Sequence, residues 1–450
     1  MKRILWPCLF CFVVMAQHPL SAADWPQFLG PTRNGISTET NLLPAWPARG
    51  PRVLWRKEIG TGYSAPSVRE NKLVLHHRVR EQEVVECFDA VNGKSVWRHA
   101  YASAFRDPFG YNNGPRSTPL LTTNRCYTFG AEGRLVCVNL QDGKLIWERA
   151  TARDWDIPEA FFGVGSSPVL HDDILLVMVG GQTNAGVVGL NPETGKTIWE
   201  SVGQQNWQGV PMTGWPGNRK VDWKRYEKQA SYATPVIAKV HGADVAFCLM
   251  RQGLVALEPR SGKVDFSFWF RAQVDESVNA ANPVVVGDRV FISGAYYKVG
   301  SVLLEVNPDR KRFSEQWRNR ALEIHWTTPL YHDGFLYAFS GRNEPDARFR
   351  CVEFQTGKLM WDRDESWRGH TPEPPNVYGR GSAILADGKL IVLGEGGLLG
   401  LFAVDPKQAR EIAKFQVPEL RFPCWAAPVL SNKRVYLRSE DRLVCLSLEP

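Results

Sequence analysis

The stretch VNLQDGKLIW at residues 138–147 carries the pattern that decides the fold. A short apolar run leads into a polar turn with Gly-Lys, and a second apolar run ends on tryptophan. This is the pattern of two β-strands joined by a tight turn, so it predicts a β-hairpin. A degenerate copy, LEPRSGKVDF, ends at Phe266. The other closing tryptophans are Trp55, Trp97, Trp199, Trp317 and Trp361.

A second phrase precedes each hairpin, and it consists of a small residue, a proline and an apolar strand. A further apolar strand separates this phrase from the hairpin, so one unit holds four short strands, as a propeller blade does. Eight starts predict an all-β, eight-bladed β-propeller. They read SAPSV at 64, STPLL at 117, SSPVL at 166, ATPVI at 233, NPVVV at 282, TTPLY at 327, SAILAD at 382 without the proline, and AAPVL at 426.

The two ends of the repeat region complement each other. The segment around Trp55 is a hairpin's second strand without its first, and DRLVCLSLEP at 441–450 is a first strand without its second. We therefore expect residues 51–57 to pair with residues 443–448 and close the ring, which removes two exposed sheet edges. An open stack would need polar caps and two sandwiches would need a linker, so the closed ring is favoured.

The N-terminal residues have the composition of a secretory signal. Lys2 and Arg3 precede an apolar stretch, and small residues at 21–23 precede Asp24. This divides the chain into a signal peptide (1–23), an N-terminal extension (24–50) and a propeller (51–450). The apolar stretch is too short to span a bilayer. We expect an exported monomer, periplasmic or secreted, that is cleaved near Ala23.

Charge and cysteine content narrow the class further. The formal charge of +7 is small for 450 residues and the cations are scattered, so nucleic acid is not an expected partner. Four cysteines occupy the same place in their blades, and the fourth blade has Ala256 there. Small side chains suit a tight gap between sheets, so these residues are interpreted as packing groups rather than disulfides. They are Cys87, Cys137, Cys351 and Cys445.

The repeated apolar run, Gly-Lys turn and closing tryptophan resemble the repeats of pyrroloquinoline-quinone (PQQ) propellers, over residues 51–450. The phrases DWPQFLGPTRNG at 24, GPRSTP at 114 and GVGSSPVL at 163 are similar to exported PQQ-like repeat proteins of the planctomycete type. The resemblance implies the quinoprotein alcohol dehydrogenase-like fold. It also implies a structural role for the six closing tryptophans, each docked on the neighbouring blade. It does not imply an activity.

One hypothesis from the resemblance is a PQQ-dependent dehydrogenase with quinone and Ca²⁺ over the axis. Glu159, Asn282 and Asp333 are candidate calcium ligands. The adjacent cysteine pair of many such enzymes is missing, and CxxC at 8–11 lacks the histidine of a haem site. We therefore expect no cofactor and no catalytic residues, with PQQ and Ca²⁺ as the alternative.

Two other motifs receive structural interpretations. The glycine cluster at 394–400 aligns with the turn at 130–135, and no helix follows it, so it is a turn rather than a phosphate loop. His76 and His77 are neighbours on a strand and point to opposite faces, so they do not share a metal. We expect one of the two faces to be solvated and the other packed.

Four long loops precede inner strands and are expected at one mouth of the central channel, at 104–119, 153–168, 203–235 and 370–382. They carry Phe161, Trp207, Trp215, Arg106 and Arg219 besides the residues favoured for binding. Arg116 and Arg380, just before inner strands, would face the axis and clamp an anionic group. The candidate ligand-binding residues are Arg116, Arg380, Tyr111, Tyr378, Phe162, Trp326 and Trp425.

Aromatic and arginine side chains around a concave opening are typical of a recognition surface. The alternative is that the aromatic rings plug the channel as packing. We expect a non-catalytic ligand-binding, protein-binding or scaffold module, whose partner at the mouth is a protein or a small anionic ligand. A third possibility is similarity to the outer-membrane assembly propeller that binds partner β-strands, although that lipoprotein's anchoring cysteine is missing here.

Overall fold

The computed structural model describes residues 24–158, 162–207, 230–272, 277–368 and 376–450. The expected signal peptide lies outside these ranges, as do Glu159, Phe161, Trp215 and Arg219. The described residues form eight four-stranded antiparallel sheets in sequence order. This confirms the eight-bladed β-propeller. No described helix has the length and apolar character needed to cross a membrane.

The strands follow the repeat frame, beginning with β1 (Val53–Glu58). Blade 1 holds β2 (Ser67–Arg69), β3 (Lys72–Val79), β4 (Gln82–Asp89) and β5 (Ser95–Ala102). Blade 2 holds β6 (Leu120–Leu121), β7 (Arg125–Phe129), β8 (Arg134–Asn139) and β9 (Leu145–Ala150). Blade 3 holds β10 (Val169–His171), β11 (Ile174–Val177), β12 (Val187–Leu190) and β13 (Thr197–Ser201). Blade 4 holds β14 (Val236–Val240), β15 (Ala243–Leu249), β16 (Gly253–Leu257) and β17 (Val264–Trp269).

The second half of the ring repeats this order. Blade 5 holds β18 (Val284–Val286), β19 (Arg289–Gly294), β20 (Gly300–Val306) and β21 (Phe313–Asn319). Blade 6 holds β22 (Leu330–His332), β23 (Phe335–Ser340), β24 (Arg348–Glu353) and β25 (Leu359–Asp364). Blade 7 holds β26 (Ser382–Ala386), β27 (Lys389–Leu393), β28 (Leu398–Ala403) and β29 (Glu411–Gln416). Blade 8 holds β30 (Val429–Ser431), β31 (Arg434–Arg438), β32 (Arg442–Ser447) and β1.

Helical turns are few in the described chain. One short α-helix, α1, covers Thr151–Asp154 after blade 2. Three 3₁₀ turns cover Gln204–Asn206, Tyr296–Lys298 and Glu344–Asp346.

The ring closes through its two termini. Strand β1 pairs antiparallel with β32, with Trp55 opposite Cys445 and Lys57 opposite Leu443. The N-terminal strand thus completes the blade that the C-terminal strands begin, which confirms the expected pairing of residues 51–57 with residues 443–448.

The cysteines and closing tryptophans are cross-strand partners. Four of the cysteines each lie opposite a tryptophan in their own blade, and all seven cysteines of the described chain are free and buried. Burial raises the pKa of Cys87 to about 12, so its thiol stays protonated and acts as a small packing group. The pairs are Cys87 with Trp97, Cys137 with Trp147, Cys351 with Trp361, and Cys445 with Trp55.

The indole rings also reach the next blade. Five of them donate the Nε1 hydrogen to a backbone carbonyl of that blade, whereas the buried Nε1 of Trp199 has no partner among the described residues. The bonds run from Trp55 to Ala90 (3.1 Å), Trp97 to Leu140 (3.0 Å), Trp147 to Pro192 (2.9 Å), Trp317 to Phe354 (3.0 Å) and Trp361 to Asp405 (2.9 Å).

The histidine pair corrects one expectation. His76 and His77 do point to opposite faces of β3, but both are buried, because β3 is the second strand of its blade and is covered by neighbouring blades. His76 Nε2 lies 3.3 Å from Glu83, and His77 Nε2 lies 3.2 Å from Glu86. Neither face is solvated.

The glycine cluster at 394–400 is a strand-to-strand turn. It joins β27 to β28, as the sequence predicts, and Gly394 donates its backbone N–H to Leu398 within the turn.

The N-terminal extension forms a segment across the underside of the ring, which we call the strap (residues 24–50). Its first residues bond to blades 1 and 2: Trp25 exchanges backbone bonds with Val68, and Leu121 donates to Pro26. Its later residues bond to blades 7 and 8, through Leu385 and Leu448. Between these contacts, Arg33 bonds to Leu170 of blade 3, which lies opposite blade 7 in an eight-bladed ring, so the strap crosses the axis.

Candidate functional site

A cavity of about 210 Å³ lies on the axis, between the entry loops and the strap. The entry loops gather above the axis because each small-residue and proline phrase starts an inner strand at the same end of the ring. Tyr111, Phe162 and Trp425 line it at the mouth, and Phe28 and Leu29 of the strap line it at the opposite end. The aromatic side chains therefore surround a space, and they do not fill the whole channel as a plug.

Six of the seven candidate ligand-binding residues lie on this one cavity, although they come from loops far apart in sequence. Tyr111 is the most accessible, with 53% of its surface exposed. The six are Tyr111, Arg116, Phe162, Trp326, Arg380 and Trp425.

Tyr378 does not lie on the cavity. It is 0% exposed and packs against Phe402 inside the blade 7 core, with its hydroxyl donating to Glu411 (3.2 Å). Burial raises its pKa. The sequence predicted that Tyr378 lies at the mouth because it is close to Arg380 in the same loop. In the structure, apolar neighbours such as Phe402 hold the Tyr378 ring between the sheets. Trp207 is likewise a core residue, with its ring 5.5 Å from that of Trp269.

Every N–H donor of the Arg380 guanidinium has a partner within the protein. Its Nε and one Nη bond to Glu395 (3.2 and 2.9 Å), and the other Nη donates to the Arg342 carbonyl (2.7 Å) and contacts His325 Nδ1 (3.5 Å). A further N–H pairs with Glu344. All five N–H groups of a guanidinium are thus used, so the expected anion clamp at this position is not available without breaking these bonds.

Glu395 is a residue that the sequence interpretation missed. It is fully buried and also accepts the indole N–H groups of Trp367 (3.2 Å) and Trp425 (2.9 Å). The sequence does contain a signal for it, because Glu395 is the single acidic residue in the glycine turn GEGG between two apolar strands. A carboxylate buried there needs hydrogen-bond donors around it.

Arg116 is also paired. Its Nη2 lies 2.5 Å from Asp107, and further N–H groups donate to the carbonyls of Gly114 and Asn112. Its guanidinium stacks over Tyr63 at 5.6 Å. Arg106, by contrast, is exposed and pairs with Glu81 (2.6 Å). The two arginines on the cavity therefore bring no unbalanced positive charge to it.

Aromatic rings form a nearly continuous belt around the cavity. Successive ring centroids lie 4.7 to 5.9 Å apart, within the range of favourable aromatic pairs. Arg380 stacks on two of them, Trp326 (4.5 Å) and Trp425 (5.7 Å). In order, the belt runs through Tyr296, His325, Trp326, Trp425, Tyr111, Phe162 and Tyr232.

His325 contributes a neutral ring to the belt. Burial, together with the positive charges of Arg380 and Arg342, lowers the pKa of its imidazole to about 3. Its Nε2 lies 3.2 Å from the Tyr296 hydroxyl. The imidazole therefore brings no charge to the cavity at neutral pH.

Below the belt, side-chain oxygens link five consecutive inner strands. In each link a backbone N–H donates to the side chain at the matching position of the next blade. The links run from Thr118 to Ser167 (2.9 Å), Ser167 to Thr234 (3.1 Å), Thr234 to Asn282 (2.8 Å) and Asn282 to Thr328 (3.4 Å).

Two cavity donors have no partner among the described residues. Ser382, at the next position of this series, is 6% exposed, and its Oγ is buried without a hydrogen bond. The buried Nε1 of Trp326 is also unpaired. Unpaired buried donors cost free energy, and both atoms are covered by surrounding protein atoms.

The donor set does not fit calcium with quinone. Among the described residues, none that lines the cavity is Asp or Glu, and Ca²⁺ prefers carboxylate oxygens. Asn282 Oδ1 is engaged by Thr234, and Asp333 lies in the exposed turn between β22 and β23. No three His, Cys, Asp or Glu side chains in the described ranges group as a metal site.

Comparisons with known proteins agree with this architecture. A family model described as outer membrane protein assembly factor BamB matches residues 35–156 and 216–363. A curated relative, outer membrane protein assembly factor BamB of Shewanella oneidensis, is 27% identical over 158 residues, and the match covers 33% of this chain and 36% of the relative. The chain thus matches only about a third of that relative's length.

Solved structures share the fold at low identity. BamB from Moraxella catarrhalis superposes with a TM-score of 0.57 and 12% identity, over 88% of this chain and 97% of that one. Quinohemoprotein alcohol dehydrogenase from Comamonas testosteroni superposes with a TM-score of 0.64 and 12% identity, over 95% of this chain and 81% of that one. With more than half of its residues matched by the family model, the chain belongs to the PQQ-repeat propeller family described as outer membrane protein assembly factor BamB.

Proposed function

We propose that this chain is an exported, non-catalytic binding or scaffold propeller, and that its aromatic cavity receives a neutral ring-shaped group of a ligand or partner. The aromatic belt carries the proposal, because stacked rings around a partly open space supply apolar contact with defined orientation. The family description and the relative's name, an assembly factor, support a protein as the partner.

The charge of the cavity favours a neutral group. A cation would meet Arg380, whose guanidinium already occupies the faces of Trp326 and Trp425. An anion would have to displace Glu395 or Asp107 from the arginines.

Three aromatic probes of equal size and different charge test this proposal: 4-methylphenol, benzoate and benzylamine. We expect 4-methylphenol to bind at least tenfold more tightly than the two ions, measured by titration calorimetry. Phe162→Ala, which removes a belt ring, should weaken binding. Phe313→Ala removes a half-buried ring on the outer strand of blade 5, which does not line the cavity, and serves as the control. Tighter binding of benzoate would restore the anion-clamp hypothesis.

A second assay separates the binding module from the PQQ-dehydrogenase alternative. Purified protein is mixed with PQQ and Ca²⁺, and dye reduction is followed with alcohols and sugars. Because none of the described residues that line the cavity is a carboxylate, we expect no calcium-dependent turnover. Stoichiometric PQQ binding with substrate-dependent dye reduction would overturn the proposal.

A further inference from the structure

The strap supplies one wall of the cavity. Phe28 and Leu29 line it from below, whereas the other described lining residues come from the entry loops, the inner-strand region and the turn at Tyr296. The strap's backbone bonds go to the inner strands at positions such as Leu121 and Leu385, beyond the proline phrase that starts each strand at the mouth. The strap thus lies at the end of the channel opposite the mouth.

The strap is firmly fixed in this position. Trp25 is 2% exposed within the core between blades. The Arg33 guanidinium donates to the Leu170 carbonyl of blade 3 (2.7 Å), and the backbone of Lys433 in blade 8 donates to Glu39 (2.6 Å). Bonds on both sides of the ring hold the segment across the axis.

The backbone at Leu29 is strained. Its φ of 60° lies in the left-handed region, which a branched side chain without special contacts avoids. Leu29 is nevertheless 4% exposed and faces the cavity. Strain of this kind persists where the surroundings hold a side chain in place, and it is enriched at binding sites.

We infer that the strap makes the cavity blind, and that Phe28 and Leu29 form a floor that limits how long a ligand can be. This rests on the proposed function, because it describes the depth of the same cavity. A neutral ring would sit in the aromatic belt near Ser382 and Trp326, and any apolar tail would point down toward Phe28. The ligand class is therefore a neutral aromatic compound with a short apolar tail.

A series of 4-alkylphenols, from phenol to 4-hexylphenol, measures this depth in the full-length protein. Affinity should rise about fourfold for each buried methylene and then level off when the tail reaches the floor. Phe28→Ala should move the plateau to a longer tail, so that the longest phenol binds about fourfold or more tightly than to the wild type. Leu29→Gly should act in the same direction, and it also removes the backbone strain, so this variant keeps the floor hypothesis testable if Phe28→Ala folds poorly.

Leu42→Ala is the matched control, because Leu42 is a buried strap residue that does not line the cavity. It should leave the plateau unchanged. If the series binds but Phe28→Ala and Leu29→Gly level off at the wild-type length, the floor hypothesis is wrong and the proposed function stands. If no phenol binds the wild type, the proposed function is wrong and the floor hypothesis falls with it.

Discussion

The indole of Trp97 lies directly over Gly143 of the next blade, so close that a Cβ on Gly143 would stand 2.5 Å from the ring. Gly195 has the same relation to Trp147, at 2.6 Å. The two signature residues of the repeat are therefore partners across the blade interface. Glycine is needed at this turn both for its φ of 71° and for the absence of a side chain under the ring.

Gly143→Ala should destabilise the protein more than the same change at a free turn. Gly388 offers the control, because its φ is 68° and nothing lies within 4 Å of a Cβ there. Both changes place alanine in the left-handed region, at about 1–2 kcal/mol. Only Gly143→Ala adds the clash, worth about 1–3 kcal/mol more, in denaturant unfolding. Equal losses at the two sites would contradict the contact.

Removing a closing tryptophan should cost much more. Trp147→Ala is expected to lower the free energy of unfolding by about 3–5 kcal/mol, the usual loss for a large buried aromatic ring. Trp147→Phe should also lose the bond to Pro192, whereas Trp199→Phe has no such bond to lose and should cost about 1 kcal/mol less. A loss below about 1 kcal/mol for Trp147→Ala would contradict a structural role.

These contacts show how much of the fold the sequence could predict. Blade number, strand content and ring closure follow from the repeat, because Gly-Lys turns and closing tryptophans are local signals with one geometric meaning. The strap was not predicted, since residues 24–50 do not repeat and their partners lie on both sides of the ring.

Six cavity residues were predicted from their positions in the repeat. The sequence could not show that Tyr378 lies off the cavity, because residues close together in one loop can face the axis or the sheet. The pairing of Arg380 with Glu395 depends on contacts between a loop and a turn that share no local pattern.

Ring closure predicts a large effect of deleting residues 51–57. The deletion removes β1 and leaves β32 with an open edge, so the protein should unfold at a lower temperature and associate through exposed strands. Melting and light scattering measure the two effects. Removing residues 449–450, which lie beyond the β1–β32 pairing, is the control. A deletion variant that melts as the wild type and stays monomeric would contradict the closure.

Arg380→Gln is expected to destabilise the fold rather than only weaken ligand binding. The change leaves Glu395 buried without its cationic partner, a situation that costs about 3–5 kcal/mol. Adding Glu395→Gln should recover a large part of this loss, because no buried charge then remains. Thermal unfolding of the two variants tests the coupling, and equal stability of Arg380→Gln and the double variant would contradict it.

His325 predicts a pH dependence of stability. Its folded pKa of about 3 lies below the ordinary value of 6.5, so the unfolded chain binds more protons than the native protein between these values. Stability should therefore fall as the pH drops below about 6.5, by up to about 2 kcal/mol at pH 5. His325→Gln should flatten the profile between pH 7 and 5, and a variant that keeps the wild-type slope there would contradict the prediction.

The direction of the strands in blade 8 places Asp24, the first described residue, and Ser447 on the same side of the disc. Inner strand β30 starts at the mouth, so β32, two strands later, runs downward and ends at Ser447 on the underside. Asp24 is fixed on that side too, with its carboxylate accepting the backbone N–H of Glu70 (2.7 Å). A tether attached near Asp24 or Ser447 would therefore hold the disc by its back and present the aromatic opening outward, toward whatever approaches from the surroundings.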